Sequence, residues 1–181
     1  MPDRLHFTDS DEANELIAND PMALLIGFAL DQQVTVQQAF LGPLRLQERL
    51  GTLDAGAIAA ADLEPIFRQK PAIHRFPAKM AHRVHALAEH VRGEYGDDAA
   101  RVWTDAADSS DLRANLAALP GFGEMKIKAL GSVLYKRFGV RAAEGLVPSH
   151  PTLGDVDSHA ALASYQEAKR MQKVQWSKVK E

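Results

Sequence analysis

Between Met22 and Leu30 every residue is apolar or glycine, a pattern that predicts an element buried on all sides. So short a run also fits a buried strand. The Asp20-Pro21 step in front of it favours a helix, because it has the form of an N-cap followed by proline at the first helical position, and the Met, Leu and Ala content agrees. Thr35 and Gln38 have capping-box spacing, so a second helix is expected there, with 31–34 as the connection and the pair Gln32-Gln33 inside it. Farther on, Met80, Val84, Leu87 and Val91 recur at helical spacing within Pro77–Arg92 and leave Lys79, His82, Arg83 and His90 on another face. A short helix over Asp111–Ala118 and a longer one over Glu124–Phe138 follow, the second with Ile127, Leu130, Leu134 and Phe138 inward and Gly139 as its stop.

The remaining segments read less regularly. Gly51 ends a helix, Ala55–Ala61 is alanine-rich, and Pro65 and Pro71 make the next stretch read as loop. Gly145–Gly154, with Pro148 and Pro151, reads as a second loop. Asp157-Ser158 is placed to cap a last helix running through Leu162, Tyr165, Ala168 and Met171 to a lysine-rich end that carries Trp176 and is expected to fray. Alternating β-branched runs bounded by hairpin turns are missing, so the fold class expected is all-α. Phe40, Trp103 and Tyr135 are candidates to line a pocket, although single aromatics at helical spacing are more often core.

A length of 181 residues and 46% hydrophobic content support one large or two small lobes with a real core. No apolar run reaches the roughly 18 to 20 residues that span a bilayer. Six acids (Asp3, Asp9, Asp11, Glu12, Glu15, Asp20) in the first twenty residues suit neither a signal nor a transit peptide, so a cytoplasmic location is expected. Absence of cysteine removes disulfides, thiolate nucleophiles, Cys-ligated zinc and iron–sulfur clusters.

The net charge of −3 argues against a non-specific nucleic-acid binder, but its distribution is uneven. Arg68, Lys70, Arg75, Lys79, Arg83 and Arg92 share their stretch with His74, His82, His85 and His90 and with Glu89 as the single acid. This strip is either an anion-facing surface or an ordinary solvated helix face. Its histidines lack the convergent carboxylate support of a metal shell, so no metal site is expected.

Candidate chemistry centres on Leu119-Pro120-Gly121-Phe122-Gly123 between two predicted helices. Proline stiffens the approach, and each glycine accepts backbone angles that a side chain opposes. Amides at such a turn and at the following helix start lack partners and carry the positive end of the helix dipole, which makes an anion site. A nucleic-acid phosphate suits it, with Gly121, Phe122 and Gly123 supplying backbone and Lys126 a charge one turn in. The plain alternative is a helix corner that uses glycine for steric reasons alone.

At these residues the chain resembles the HhH-GPD superfamily of base-excision DNA glycosylases, and as a whole its small bacterial members. Leu24-Leu25-Ile26 through Asp31-Gln32-Gln33-Val34-Thr35 is similar to that family's early buried helix and the capped helix after it. The paired glutamines look most like the alkylpurine branch. His74-Arg75-Phe76-Pro77 with Lys79, Met80 and Ala81 resembles the helix before the hairpin, and Val156-Asp157-Ser158-His159 resembles a Val-Asp-Thr-His of the endonuclease III branch. The likeness covers Pro21 to about Gly139, and beyond that only the short match.

The resemblance implies one domain over 1–181, with a helical core at 21–139, the hairpin at 112–138, and 1–20 and 140–181 as a second lobe or terminal segments, the two lobes flanking a cleft. It implies double-stranded DNA, damaged or abasic, as partner, in association with the nucleoid; no membrane partner is expected, and a monomer is favoured with the oligomeric state left open. Gln33 would wedge into the duplex beside an extruded base, with Gln32 as a further DNA-binding residue. Bifunctional members place a nucleophilic lysine where this chain has Met125, so hydrolysis without lyase activity is implied. Lys126 lies about 100° farther round the helix, while Lys128 is nearer the Met125 face and stays open as a substitute. Ile127 stands where the family has alanine. Asp157 would stabilise the oxocarbenium ion or orient water, with Asp155 as the other register and simple helix capping as the plain alternative. No cofactor is expected, a monovalent cation at the hairpin being left open. The competing functions are a catalytically silent DNA-binding module and a protein-interaction domain.

Overall fold

The computed structural model describes residues 2–179, and all regular structure among them is helical. In chain order the elements are α1 (Asp11–Asn19), α2 (Pro21–Leu30), α3 (Val36–Leu50), α4 (Ala55–Ala60), α5 (Leu63–Arg68), α6 (Pro77–Tyr95), α7 (Arg101–Thr104), α8 (Ser109–Ala117), α9 (Glu124–Lys136) and α10 (His159–Val179). Two 3-10 turns, Arg141–Leu146 and Leu153–Asp155, lie between α9 and α10. Among the described residues no helix is long and apolar enough to cross a membrane.

Helix α2 is the centre of the core. The Asp20 side chain accepts from the amides of Met22 and Ala23, Pro21 follows it, and Met22 through Leu30 are all buried. Fully burying Leu24, Leu25, Ile26, Phe28 and Leu30 contributes about 1.5–3 kcal/mol for each side chain relative to exposure, offset by the entropy of ordering them. Helix α3 crosses close by because Gly27 has no side chain: a Cβ there would lie 2.3 Å from the Phe40 ring. That ring makes edge contacts with Phe7 and Phe28 at centroid distances of 4.9 and 5.0 Å. Phe40 is therefore core rather than pocket lining, and Trp103 is likewise buried. Tyr135 packs partly against the core with its hydroxyl on Glu144.

The stretch 55–71, read from the sequence as an alanine-rich run followed by loop, is instead helical in two places. It contains α4, capped by the Asp54 side chain on the Ala57 amide, and α5, which holds Pro65 within its first turn. Both are short. They persist because Ile58, Leu63 and Phe67 are buried against α6 and tertiary packing outweighs weak local propensity. Part of the 145–154 loop is also ordered as 3-10 turns against α9, where Gly154 lies so near Ser132 that a Cβ would sit 2.7 Å from its backbone. At the last helix the cap is Ser158, whose Oγ accepts from the Ala161 amide at 3.0 Å, not Asp157. A single cluster of buried side chains runs from Leu5 to Leu162, so 2–20 and 140–162 share the core of the central helices.

Candidate nucleic-acid interface

Three parts of the chain meet at one place: the C-terminal end of α2 with the 31–34 loop, the middle of α6, and the turn between α8 and α9. The α2 end creates the demand. Its last carbonyls have no helical partners and carry partial negative charge. Lys126, in the first turn of α9, donates from Nζ to the Ala29 carbonyl at 3.0 Å. His74 donates from Nε2 to the carbonyls of Leu30 and Gln32, at 3.1 and 3.2 Å. The Phe76 amide donates to its Nδ1 at 3.0 Å, which fixes the neutral tautomer.

The electrostatics follow from burial. Lys126 is half-buried, and desolvation, weakly opposed by Asp31 and reinforced by Arg83, lowers its ammonium to about 8. Burial pushes the Asp31 carboxyl above its ordinary range, against the pull of Lys169 and Lys126. Burial also lowers His74, against the two carbonyls it serves, with Lys126 and Lys79 adding to the depression. Desolvated charges therefore gather at the base of the 31–34 loop.

Arg83 of α6 joins this loop to the turn. Its Nη1 donates to the Gln32 side-chain oxygen at 2.5 Å. Its side chain also lies over Gly121, where a Cβ would stand 2.6 Å from Nε. Gly121 has φ +78°, a left-handed conformation that glycine adopts without strain. Within the turn the Phe122 amide is consumed by the Leu119 carbonyl at 3.1 Å, and the Phe122 ring is buried with the Lys126 ammonium 5.6 Å from its centroid. Gly123 and the first turn of α9 have no side-chain cap, and Gly123 faces open space. What the turn offers a ligand is thus the uncapped start of α9, with neither the Phe122 ring nor its amide.

The sequence-derived candidates separate into groups. Gln32 is held inward by Arg83 and His74, whereas Gln33 is exposed with φ +58°, a backbone state that costs a non-glycine residue about 1–3 kcal/mol. Lys126 points into the protein, away from where a phosphate would meet the turn. Met125 is 80% exposed, and Lys128 lies 3.9 Å from Glu124. Asp157 is exposed, beside Arg4, Lys136 and Arg137. Those residues stand at the far end of α9, and its thirteen residues span about 20 Å. Asp155 is occupied: partial burial raises its carboxyl, but an ion pair with Lys136 and the Thr152 amide hold it below its usual range.

Sequence reasoning missed Asp31 as a candidate. A signal was present, since a carboxylate following the last turn of an apolar helix opposes the helix dipole and needs cations to hold it. Glu124 was missed as well. It sits at the positive start of α9, where both its oxygens accept from Arg113 Nη1 at 2.7–2.8 Å, and this hydrogen bonding lowers its carboxyl. Among the described residues no group of three or more His, Asp or Glu side chains is placed to hold a metal ion.

Comparison of the chain with family models, with curated proteins and with solved structures finds no match.

Proposed function

We propose that the protein binds the backbone of duplex DNA through a helix-hairpin-helix formed by α8, the 118–123 turn and α9. In this reading it hydrolyses the N-glycosidic bond of a damaged, alkylated base swung out beside Gln33, as a monofunctional glycosylase of the HhH-GPD kind. The supporting observation is Arg83, which lies on Gly121 and donates to Gln32, so that the turn and the exposed Gln33 belong to one surface. The uncapped start of α9 suits a phosphate. In this reading the groove of about 530 Å³ between α9 and α10 is the cleft.

No amine attacks the sugar in this reading: Met125 carries none, Lys126 is engaged with Ala29, and the Lys128 ammonium lies beside the Glu124 carboxylate. We assign the carboxylate role to Asp31. It shares the loop of Gln33 and is half-buried beside Lys126 and Lys169; once ionised it can stabilise positive charge on the sugar as the bond to the base breaks. Asp157 is the alternative. A catalytically silent DNA-binding module is the second reading, favoured by the exposed position of Asp157 at the other end of α9.

The test is a panel of duplexes, each carrying one damaged base, with an abasic-analogue duplex as binding control. The expected result is binding at low salt and base release that Asp31→Asn abolishes and Asp157→Asn leaves in place. Binding without release from any duplex would establish the silent module. Failure to retain duplex or abasic DNA at low salt would remove both readings, and a covalent complex trapped by borohydride would refute the monofunctional assignment.

A further inference from the structure

Helix α10 is unlike the other helices, because only Leu162 of its 21 residues is buried. Its middle is fastened to the body. Gln166 and Gln37 exchange side-chain amide hydrogen bonds at 2.7 and 3.0 Å, and Tyr165 packs partly against the core. From Arg170 to Val179 every residue is exposed, so about 15 Å of helix extends beyond these fastenings. A helix of that length is marginal alone in water, and the exposure of Met171, Val174, Trp176 and Val179 adds apolar surface without cover.

Charge favours an anionic partner. From Gln166 to Val179 the helix carries Lys169, Arg170, Lys173 and Lys178 against Glu167 alone, in a chain whose net charge is −3. Position supplies the second observation. The α9–α10 groove is lined by Met125 and Lys128, from the start of α9, and by Lys169 and Gln172 from α10. The basic half of α10 therefore begins beside the uncapped α9 terminus.

We propose that residues 169–178 of α10 form a basic arm that grips the phosphate backbone of the same DNA duplex held by the 118–123 turn. The proposal rests on the DNA-binding part of the reading above and is independent of base release. Each cation that neutralises a phosphate displaces a counterion, so the arm contributes to the salt dependence of binding without adding sequence preference.

Duplex affinity is to be measured over a salt series for the full chain and for the combined variant Lys169→Gln, Arg170→Gln, Lys173→Gln and Lys178→Gln. Glutamine keeps nearly the same helix propensity, and circular dichroism checks that the helix persists. A second variant, with arginine at the three lysine positions, keeps the charge. The expected result is roughly a tenfold or greater loss of low-salt affinity for the glutamine variant, with the slope of log affinity against log salt reduced by about 0.9 for every phosphate that the arm no longer neutralises. The arginine variant should keep the slope of the native chain. An unchanged slope in the glutamine variant overturns the arm while leaving the turn as the DNA contact. Failure of the native chain to bind duplex overturns both. A glutamine variant that keeps its DNA slope but loses binding to phosphatidylserine vesicles, or changes from dimer to monomer in sedimentation, assigns α10 to a membrane or to a second copy and also overturns the proposal.

Discussion

Gly121 and Gly123 flank Phe122 in the same turn, yet the structure predicts that alanine destabilises the protein at the first position and leaves stability nearly unchanged at the second. Gly121 has φ +78°, and a Cβ there would lie 2.6, 2.7 and 2.9 Å from Nε, Cζ and Cδ of Arg83. Left-handed backbone costs an L-residue about 1–2 kcal/mol. Displacing Arg83 also removes its bond to Gln32, worth about 1 kcal/mol after allowance for partial solvent exposure. Against this, alanine restricts the unfolded chain by about 0.4–1 kcal/mol. The net expectation is a loss of about 1–3 kcal/mol, which for a chain of this length lowers Tm by roughly 3–10 °C. Gly123 has φ −91° and ψ −176°, which any residue adopts, and nothing lies within 4 Å of a Cβ built there. Its unfolded-state gain of about 0.4–1 kcal/mol is offset by a loss of similar size, because alanine is poorer than glycine at an N-cap. Stability should therefore change by no more than about 0.5 kcal/mol. Duplex binding, read by fluorescence anisotropy at low salt, should fall in both variants by roughly tenfold or more, since the new methyl of Gly123→Ala stands where a phosphate would meet the amides. Gly123→Ala decides the matter: a folded protein with native duplex affinity would show that this turn does not hold the phosphate.

Other expectations follow from the cluster beneath the 31–34 loop. Lys126 titrates at about 8 in the folded chain against 10.5 ordinarily, so between these values the unfolded chain holds more protons and stability rises with pH. Urea unfolding of the native protein and Lys126→Met should diverge over that window in favour of the native chain, and a pH-independent difference would refute the buried-ammonium account. His74 is depressed below its ordinary 6.5, so the unfolded chain takes up a proton first as pH falls through that value and stability is lost. His74→Ala should flatten this acid slope and lower stability by about 1–3 kcal/mol through the backbone groups it leaves unsatisfied, which unfolding curves at neutral and mildly acidic pH would measure. Gly27→Ala should cost several kcal/mol, because its methyl would meet the Phe40 ring at 2.3 Å in a core that cannot yield; a thermal midpoint within a few degrees of native would refute that packing.

The parts of the fold legible in the sequence were those where local chemistry and burial agree. Helix α2 declares itself through Asp20, Pro21 and an unbroken apolar run, and α3 through Thr35, whose Oγ1 accepts from the Gln38 amide. Helices α4 and α5 were not legible, because Pro65 and the alanine run are weak local signals and what holds them is Ile58 and Phe67 against a helix some twenty residues away. The turn was legible as a turn, but the direction of its side chains was not. Lys126 follows a glycine-rich turn as a phosphate-binding lysine would, and only the arrival of the α2 terminus, ninety-seven residues earlier, turns it inward. The cap of α10 was ambiguous for a simpler reason, since Asp157 and Ser158 are both good caps and a one-residue difference in register decides between them.

An acidic chain can still present a positive turn, and helix-end electrostatics explain how. The negative end of α2 lies against the first turn of α9, where it would cancel part of the field that attracts an anion. Lys126 neutralises that end from within α9 itself, at the cost of its own desolvation. Two carboxylates add to the problem, Asp31 below the turn and Glu124 at its exit. Asp31 lies in the field of Lys169 and Lys126, and Glu124 is held by Arg113 with Lys128 nearby. With Arg83 lying on Gly121, the cations Arg83, Lys126, Arg113, Lys128 and Lys169 face the carboxylates Asp31 and Glu124. The excess of acids in the chain is elsewhere, notably in residues 3–20, where Arg4 pairs with Asp11 and Glu15. At a screening length of about 8–10 Å in physiological salt, exposed acids beyond that distance contribute little. The net charge of −3 is therefore a poor guide to this surface: under the proposed DNA-binding reading, the excess of cations among these named side chains is what a phosphate would meet.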